Sequence, residues 1–252
     1  MPQNIDFDAN PPVATNEYDN MAQMALPGYE AMHTMALSCL RSHLQKTANL
    51  LIVGAGTGME LVQFSGNCAW QMLGVDPSNN MLAIAQEKIQ QHGLSERVKL
   101  FTGYTHDLPN APLYDAATCI LVMHFVPDDG SKLALLQSIA QRLKSSAIFI
   151  LVDVFGERNT PQFEQMASIV QVYWEEMGMP PERRLELLEK VNSIYPIPES
   201  RVVELLEQAG FGSVMRFYTG LWVDRTYAKT LSNSYSFVYF AHLAVRFWVT
   251  GA

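Results

Sequence analysis

The stretch NLLIVGAGTG at residues 49–58 constrains this chain more than any other. A run of Leu, Ile and Val too apolar to face water on either side ends abruptly in three alternating glycines. It reads as a buried strand turning sharply into a helix. Glycine suits such a turn because the backbone bends through conformations that a Cβ disfavours and comes close to whatever the turn holds. The helix opening at Met59 adds N-terminal amides, which suit a carboxylate or a phosphate. The spacing is GxGxG, with Met59 where a dinucleotide fingerprint has its third glycine, and this weakens a nicotinamide reading without excluding it.

Asp76 ends the next apolar run, QMLGVD, 18 residues beyond Gly58. That is near the roughly 20 residues expected for an acid that accepts both hydroxyls of a ribose. The competing reading is a turn or helix-capping acid before Pro77.

Strand and helix alternate around these two features. VKLFT (98–102), DAATCILVM (115–123) and AIFILVDV (147–154) read as strands, and Met59–Phe64, Ser78 to Gly93 and Ser131–Leu143 as helices. The alternation predicts an α/β fold, a doubly wound, mostly parallel seven-stranded sheet with helices on both faces. Pro11 and Pro12 mark residues 1–17 as an arm, and Pro27–Gly28 splits Tyr18–Leu44 into two helices. After the fifth strand, residues 157–195 read as a helical lid insertion, broken at Pro180 and Pro181. A helix at 199–208 and a strand at 213–219 follow, and both WVDRTYA (222–228) and YSFVYFAHL (235–243) qualify as the last strand. The expected organisation is one domain: arm and helices 1–46, cofactor-binding core 47–154, lid 155–198, and sheet completion with an apolar tail 199–252.

Composition narrows the partners. The 252 residues are 48% apolar and 17% charged, enough to bury a core without staples. A net charge of −8 disfavours nucleic acid or an anionic membrane as the main partner. Cys39, Cys68 and Cys119 show neither disulfide nor metal-ligand spacing, which predicts no metal and a reducing, cytoplasmic setting. The polar, acidic N-terminus lacks the pattern of a secretory leader. The aromatic run 235–249 is shorter than the roughly 18 residues of a membrane span and is interrupted by His242 and Arg246, so it reads as a buried strand or a dimer contact.

From about Tyr18 to about Trp222 the chain resembles the class I S-adenosylmethionine-dependent methyltransferases, on LLIVGAGTG, LGVDPSNNMLAIA, LFTGYTHDLP, YDAATCILVMHFVPDD and LKSSAIFILVD. MALPGYEAMHTMA, the 157–195 insertion and EQAGFGSVMRFY resemble the subgroup that includes carboxy-S-adenosylmethionine synthase. The resemblance implies S-adenosyl-L-methionine as cofactor. Gly54, Ala55, Gly56 and Gly58 would border its methionine part, and Asp76 and Pro77 its ribose. Met81, Tyr104 and Thr105 would lie near its adenosine, Ile120 beneath the sulfonium, and Tyr18 and Tyr29 over it. The chain departs from the pattern in places. Ile52 stands where the class usually has an acid, and Tyr104 where an Asp often meets the adenine amine. Ile120 replaces a polar residue of the synthase. Glu204 falls where the synthase has the Arg for its extra carboxylate, with Arg201 as the nearby substitute. Ser145 and Ser146 replace a Pro-Gly turn.

Such chemistry is an in-line displacement at an activated methyl, so the protein mainly positions the nucleophile and keeps water out. A base is needed only when the acceptor must lose a proton. No catalytic dyad is evident from the sequence. His124 and Asp153, at the ends of the fourth and fifth strands, are the catalytic candidates. A packed or capping histidine and a strand-end turn acid are the alternatives. His106 and Asp107 read as surface or cofactor contacts, and Glu60 as a carboxylate suited to a helix start. Tyr173, Trp174, Met177 and Tyr195 are the substrate-side candidates on the lid, with plain core packing as their alternative. The predicted activity is methyl transfer to a small molecule. A sulfonium-modifying enzyme and a non-catalytic cofactor-binding subunit are the alternatives, and a homodimer through the lid or the tail is a further expectation.

Overall fold

The computed structural model describes residues 8, 17–66, 68–191, 193–220 and 223–230. Its architecture follows from the alternation in β1 (Asn49–Val53). Successive side chains of a strand point to opposite faces. Accordingly Leu50 and Ile52 join one buried cluster while Leu51 and Val53 join another. On the first face pack α2 (Tyr29–His43), α3 (Met59–Phe64), α4 (Asn79–Gln91) and α6 (Pro161–Glu176), through residues such as Met32, Phe64, Leu82 and Val170. On the second pack α5 (Ser131–Ala140) and α8 (Glu199–Gln208), through Leu136, Ile139, Val202 and Leu205. Helices therefore cover both faces, as an all-apolar central strand requires.

β2 (Gln71–Asp76), β1, β3 (Val98–Thr102), β4 (Tyr114–Ile120) and β5 (Leu143–Val154) run parallel in the order β3-β2-β1-β4-β5. β6 (Phe211–Gly220) and β7 (Val223–Thr230) complete the order as β5-β7-β6, each pairing antiparallel. Of the two segments that qualify as the last strand, 222–228 largely coincides with β7, and 235–243 lies outside the described residues. Among the described residues no helix is long and apolar enough to cross a membrane. The remaining helices, α1 (Tyr18–Ala25) and α7 (Pro181–Val191), fall where the sequence places helices.

Three boundaries differ by three or more residues from the sequence reading, and the first is β4, which stops at Ile120 where DAATCILVM reads as strand to Met123. α5 stops at Ala140, and β5 starts at Leu143 instead of Ala147. The reason is a pairing the periodicity does not reveal: Leu143 partners Tyr114, whose N–H donates to the Arg142 carbonyl at 2.9 Å. The register then shifts before Ile148, and Ser146 takes a left-handed φ of 62°.

The order reverses between β1 and β4. Connections from these two strands leave in opposite directions, which opens a crevice beyond their carboxyl ends. The glycine turn forms one lip of it. Gly54 has φ 74°, and a Cβ there would lie 2.1 Å from Val122 Cγ2. Gly58 has φ 83°, and a Cβ there would lie 2.9 Å from the Ala85 Cβ of α4. Gly58 thus sets how closely the turn approaches α4. Combining a left-handed alanine with overpacking, Gly58→Ala is expected to lower the unfolding free energy by about 2–4 kcal/mol, read by urea denaturation.

Candidate functional site

The crevice is a cavity of about 630 Å³. Its floor comes from the strand ends: Gly54–Thr57 after β1, Asp76 and Pro77 at the end of β2, Tyr104–His106 after β3, Ile120–Val122 at the end of β4, and Val154 of β5. Its walls come from α1, Tyr29 and His33 of α2, Trp174 of α6, and Leu187, Lys190 and Val191 of α7.

Asp76 is held by backbone on both sides. Its Oδ2 accepts the Gly56 N–H and its Oδ1 the Ser78 N–H, each at 2.9 Å. The helix cap is Ser78, whose hydroxyl accepts the Met81 N–H at 3.1 Å, so Asp76 serves the turn and leaves the cap to its neighbour. Burial raises the Asp76 carboxyl above its ordinary range, against the two amide bonds. Asp8 sits beside it, accepting the Ser78 hydroxyl at 2.5 Å and the Asn79 N–H at 3.0 Å.

Side chains tie the walls to this floor. Asp19 of α1 accepts the Thr57 hydroxyl at 2.5 Å and pairs with Lys88 of α4. The Trp174 indole N–H donates to the Ala25 carbonyl at 2.9 Å, joining α6 to α1. Burial first, then Asp76 and Asp19, lift the Tyr18 phenol to about 12. Its hydroxyl therefore stays protonated at neutral pH.

Two buried polar pairs flank β4. His124, on a short turn after the strand, lines the cavity, and its Nδ1 bonds to Asp153 Oδ1. Asp153 is only 1% exposed. Lys132, fully buried, donates from Nζ to the Met123 carbonyl at 2.7 Å. On the other side Glu60, 6% exposed, accepts the Thr118 hydroxyl at 2.6 Å. Between them Leu121 takes a φ of 60°, an uncommon backbone for a residue with a Cβ, at the cavity edge.

Most residues assigned to the cofactor by resemblance meet in this one cavity: Tyr18, Tyr29, Gly54, Ala55, Gly56, Asp76, Pro77, Met81, Tyr104, Thr105 and Ile120 all line it. Gly58 does not, because its open face is spent on packing against Ala85. Of the four substrate-side candidates only Trp174 lines the cavity. Tyr173 packs on the core beside it, Met177 lies just past the end of α6 and is 47% exposed, and Tyr195 is an exposed loop residue whose N–H donates to the His124 carbonyl. His106 lines the cavity, with its ring stacked on Tyr104, while Asp107 accepts the Tyr104 N–H. Among the described residues no group of three metal-ligating side chains occurs.

Sequence reasoning missed two things. The sequence does not reveal that His124 and Asp153 pair. Locally Glu60 suits a helix start, yet it stands four residues before the buried Phe64 and so shares its inward face. That spacing was the available signal.

Burial pushes the Glu60 carboxyl up to about 8, from an ordinary value of 4.5. The folded chain thus holds a proton there that the unfolded chain releases near its ordinary value, and stability falls as pH rises through that window. The ligand-free protein is expected to lose more melting temperature between pH 5 and 8 than Glu60→Gln does. Parallel slopes in scanning calorimetry would contradict this.

Residues 50–146 match the family described as a methyltransferase domain, a span that includes the glycine turn, Asp76 and His124. The carboxy-S-adenosyl-L-methionine synthase of Methylococcus capsulatus is 27% identical over 225 residues, covering 84% of this chain and 89% of its own. Among solved structures, an O-methyltransferase family protein from Burkholderia thailandensis is similar with a TM-score of 0.64 and 17% identity, over 88% of this chain and 60% of that one. The [4+2]-cyclase SpnF is similar with a TM-score of 0.52 and 20% identity, over 71% and 58%. At these identities the structural likenesses speak for the fold alone.

Proposed function

We propose that this chain, a class I S-adenosylmethionine-dependent methyltransferase, methylates a small, largely apolar acceptor held against His124. The observation that carries this reading is the buried Asp153–His124 pair at the wall of the crevice that the glycine turn and Asp76 open into.

The residues present fit the cofactor. Asp76 is anchored by two amides and retains lone pairs on both oxygens, which suits two ribose hydroxyls. Pro77, Met81 and Tyr104 offer apolar and aromatic surface next to it for a purine. Gly54 to Gly56 leave room for an extended amino-acid chain, and Ile120 lies farther along, at the end of β4. When bound, S-adenosylmethionine supplies an already activated methyl group. The protein's part is to align the acceptor, shed its water and remove its proton.

His124 is the group for that proton. An ionised Asp153 only accepts, so it takes the Nδ1–H and leaves Nε2 with its lone pair for an acceptor O–H or N–H. Asp153 is thus a positioning residue. Leu26, Phe125, Trp174, Leu187, Val191 and Ile194 supply the apolar surroundings that favour an apolar acceptor. We read α1, α6 and α7 as a lid over it.

A second reading, modification of the sulfonium itself, draws support from the synthase relative. Against it, Glu204 is exposed on α8, and Arg201 pairs with Asp128 and Glu204 away from the cavity lining. Mass spectrometry of cofactor extracted from the purified protein separates the two, since only the second leaves added mass on the nucleoside.

Asp76→Ala is expected to weaken both S-adenosylmethionine and S-adenosylhomocysteine by about ten- to a hundredfold in calorimetric titration, the loss of charge-assisted hydrogen bonds. His124→Gln is expected to cut kcat about 10²–10⁴-fold in S-adenosylhomocysteine release across a panel of phenols, hydroxy acids and amines. Cofactor affinity should stay within about threefold, because the base acts on the acceptor. A His124→Gln enzyme with full turnover removes the assignment of the base.

A further inference from the structure

We propose that Glu60 binds the α-ammonium group at the amino-acid end of the cofactor. The inference rests on the cofactor reading above and adds to it a residue that the resemblance does not assign.

Glu60 combines three properties. It is nearly fully buried, it lines the crevice, and it follows directly on the Gly54–Thr57 turn. A carboxylate offers about four acceptor sites on its two oxygens. Here the Thr118 hydroxyl fills one of them, at Oε2. Among the described residues no Lys, Arg or His forms an ion pair with Glu60, and no hydrogen bond reaches Oε1. A buried carboxyl left in that condition keeps its proton in the ligand-free protein, and releases it when an arriving cation compensates the charge.

The position says which partner. Asp76 marks the ribose end, at the tip of β2. Glu60 reaches instead to Thr118 on β4, which pairs in register with Ile52 of β1. An extended ligand that starts at Asp76 and crosses the glycine turn arrives there with its amino-acid end. The cofactor carries two cationic groups. The sulfonium has no N–H, whereas the ammonium has three, and only these satisfy open carboxylate lone pairs as well as the charge.

The test is a cycle between residue and ligand, using the full chain and calorimetric titration. Wild type and Glu60→Gln are each titrated with S-adenosylhomocysteine and with 5′-S-(3-carboxypropyl)-5′-thioadenosine, which lacks only the amino group. The amide retains an oxygen for Thr118 and removes the charge. Wild type is expected to lose about ten- to a hundredfold in affinity when the amino group is removed. Glu60→Gln should bind the two ligands within about threefold of each other, at the weaker level. 5′-Methylthioadenosine, lacking the whole amino-acid end, should bind both proteins alike. An undiminished preference of the variant for the amino ligand overturns the assignment and leaves the cofactor reading standing. So does an equal loss of 5′-methylthioadenosine, which would give Glu60 a role in shaping the pocket only. Wild type that binds none of the three nucleosides removes both readings.

Discussion

The bond from the Gly56 N–H to Asp76 ties together the ends of β1 and β2, and the crevice takes its shape from it. Gly54 and Ala55 add amide bonds to the Val75 carbonyl, at 2.8 and 3.0 Å, so the turn is pinned to the neighbouring strand along its first half. A turn so held cannot relax outward, and this fixes the shape of the space in front of it. This is preorganisation in structural terms: the protein meets the cost of ordering the backbone on folding, so binding does not bear it. The fixed geometry also explains why a buried carboxylate is tolerated at this point, since its two amide partners offset part of the desolvation.

β4 divides the electrostatics of the site. Asp153 and Lys132 lie on the side of His124, while Glu60 and Thr118 lie on the side of the glycine turn. Cys119, between them, feels both carboxyls, and burial, Asp153 and Glu60 together hold its thiol neutral. Two acidic groups with different partners can then serve different ends of a reaction. One, backed by a histidine, suits a proton that has to leave. The other, backed only by a hydroxyl, suits a cation that has to arrive. Such separation of roles by environment is how one chemical type of side chain does two jobs in a single cavity.

Much of this was legible in the sequence, and the parts that were not share a cause. Strands such as NLLIV and the glycine turn announce themselves through local pattern, and Asp76 through its distance from them. The His124–Asp153 pair depends on β4–β5 register, in which Ile120 partners Val152, and no local periodicity encodes that. The early start of β5 has the same origin. Trp174 and Tyr173 were equal candidates in the sequence, yet neighbours on a helix point about 100° apart, so only one of them meets the cavity. Met177 fell away because the helix ends before it. Long-range register and helix rotation are tertiary facts, and they decide which of several plausible side chains arrive.

Glu60 shows the converse, a side chain whose environment is at odds with its local reading. As an acid in the first turn of α3 it would be unremarkable on the surface, where solvent and the helix start both favour it. The structure turns it inward instead, beside Phe64 and Leu61, and gives it one hydroxyl for company. Ile52, where the resemblance would place an acid, is fully buried against the same strand pair. The carboxyl that this region lacks at the end of β1 stands one element later, on the helix, and would carry its charge once a cation meets it. A sequence free to put Gln or Leu at position 60 would gain stability at neutral pH, because either removes a carboxyl that burial disfavours. Retaining the acid makes physical sense if a cation completes it, and the crevice is the open side from which one can come.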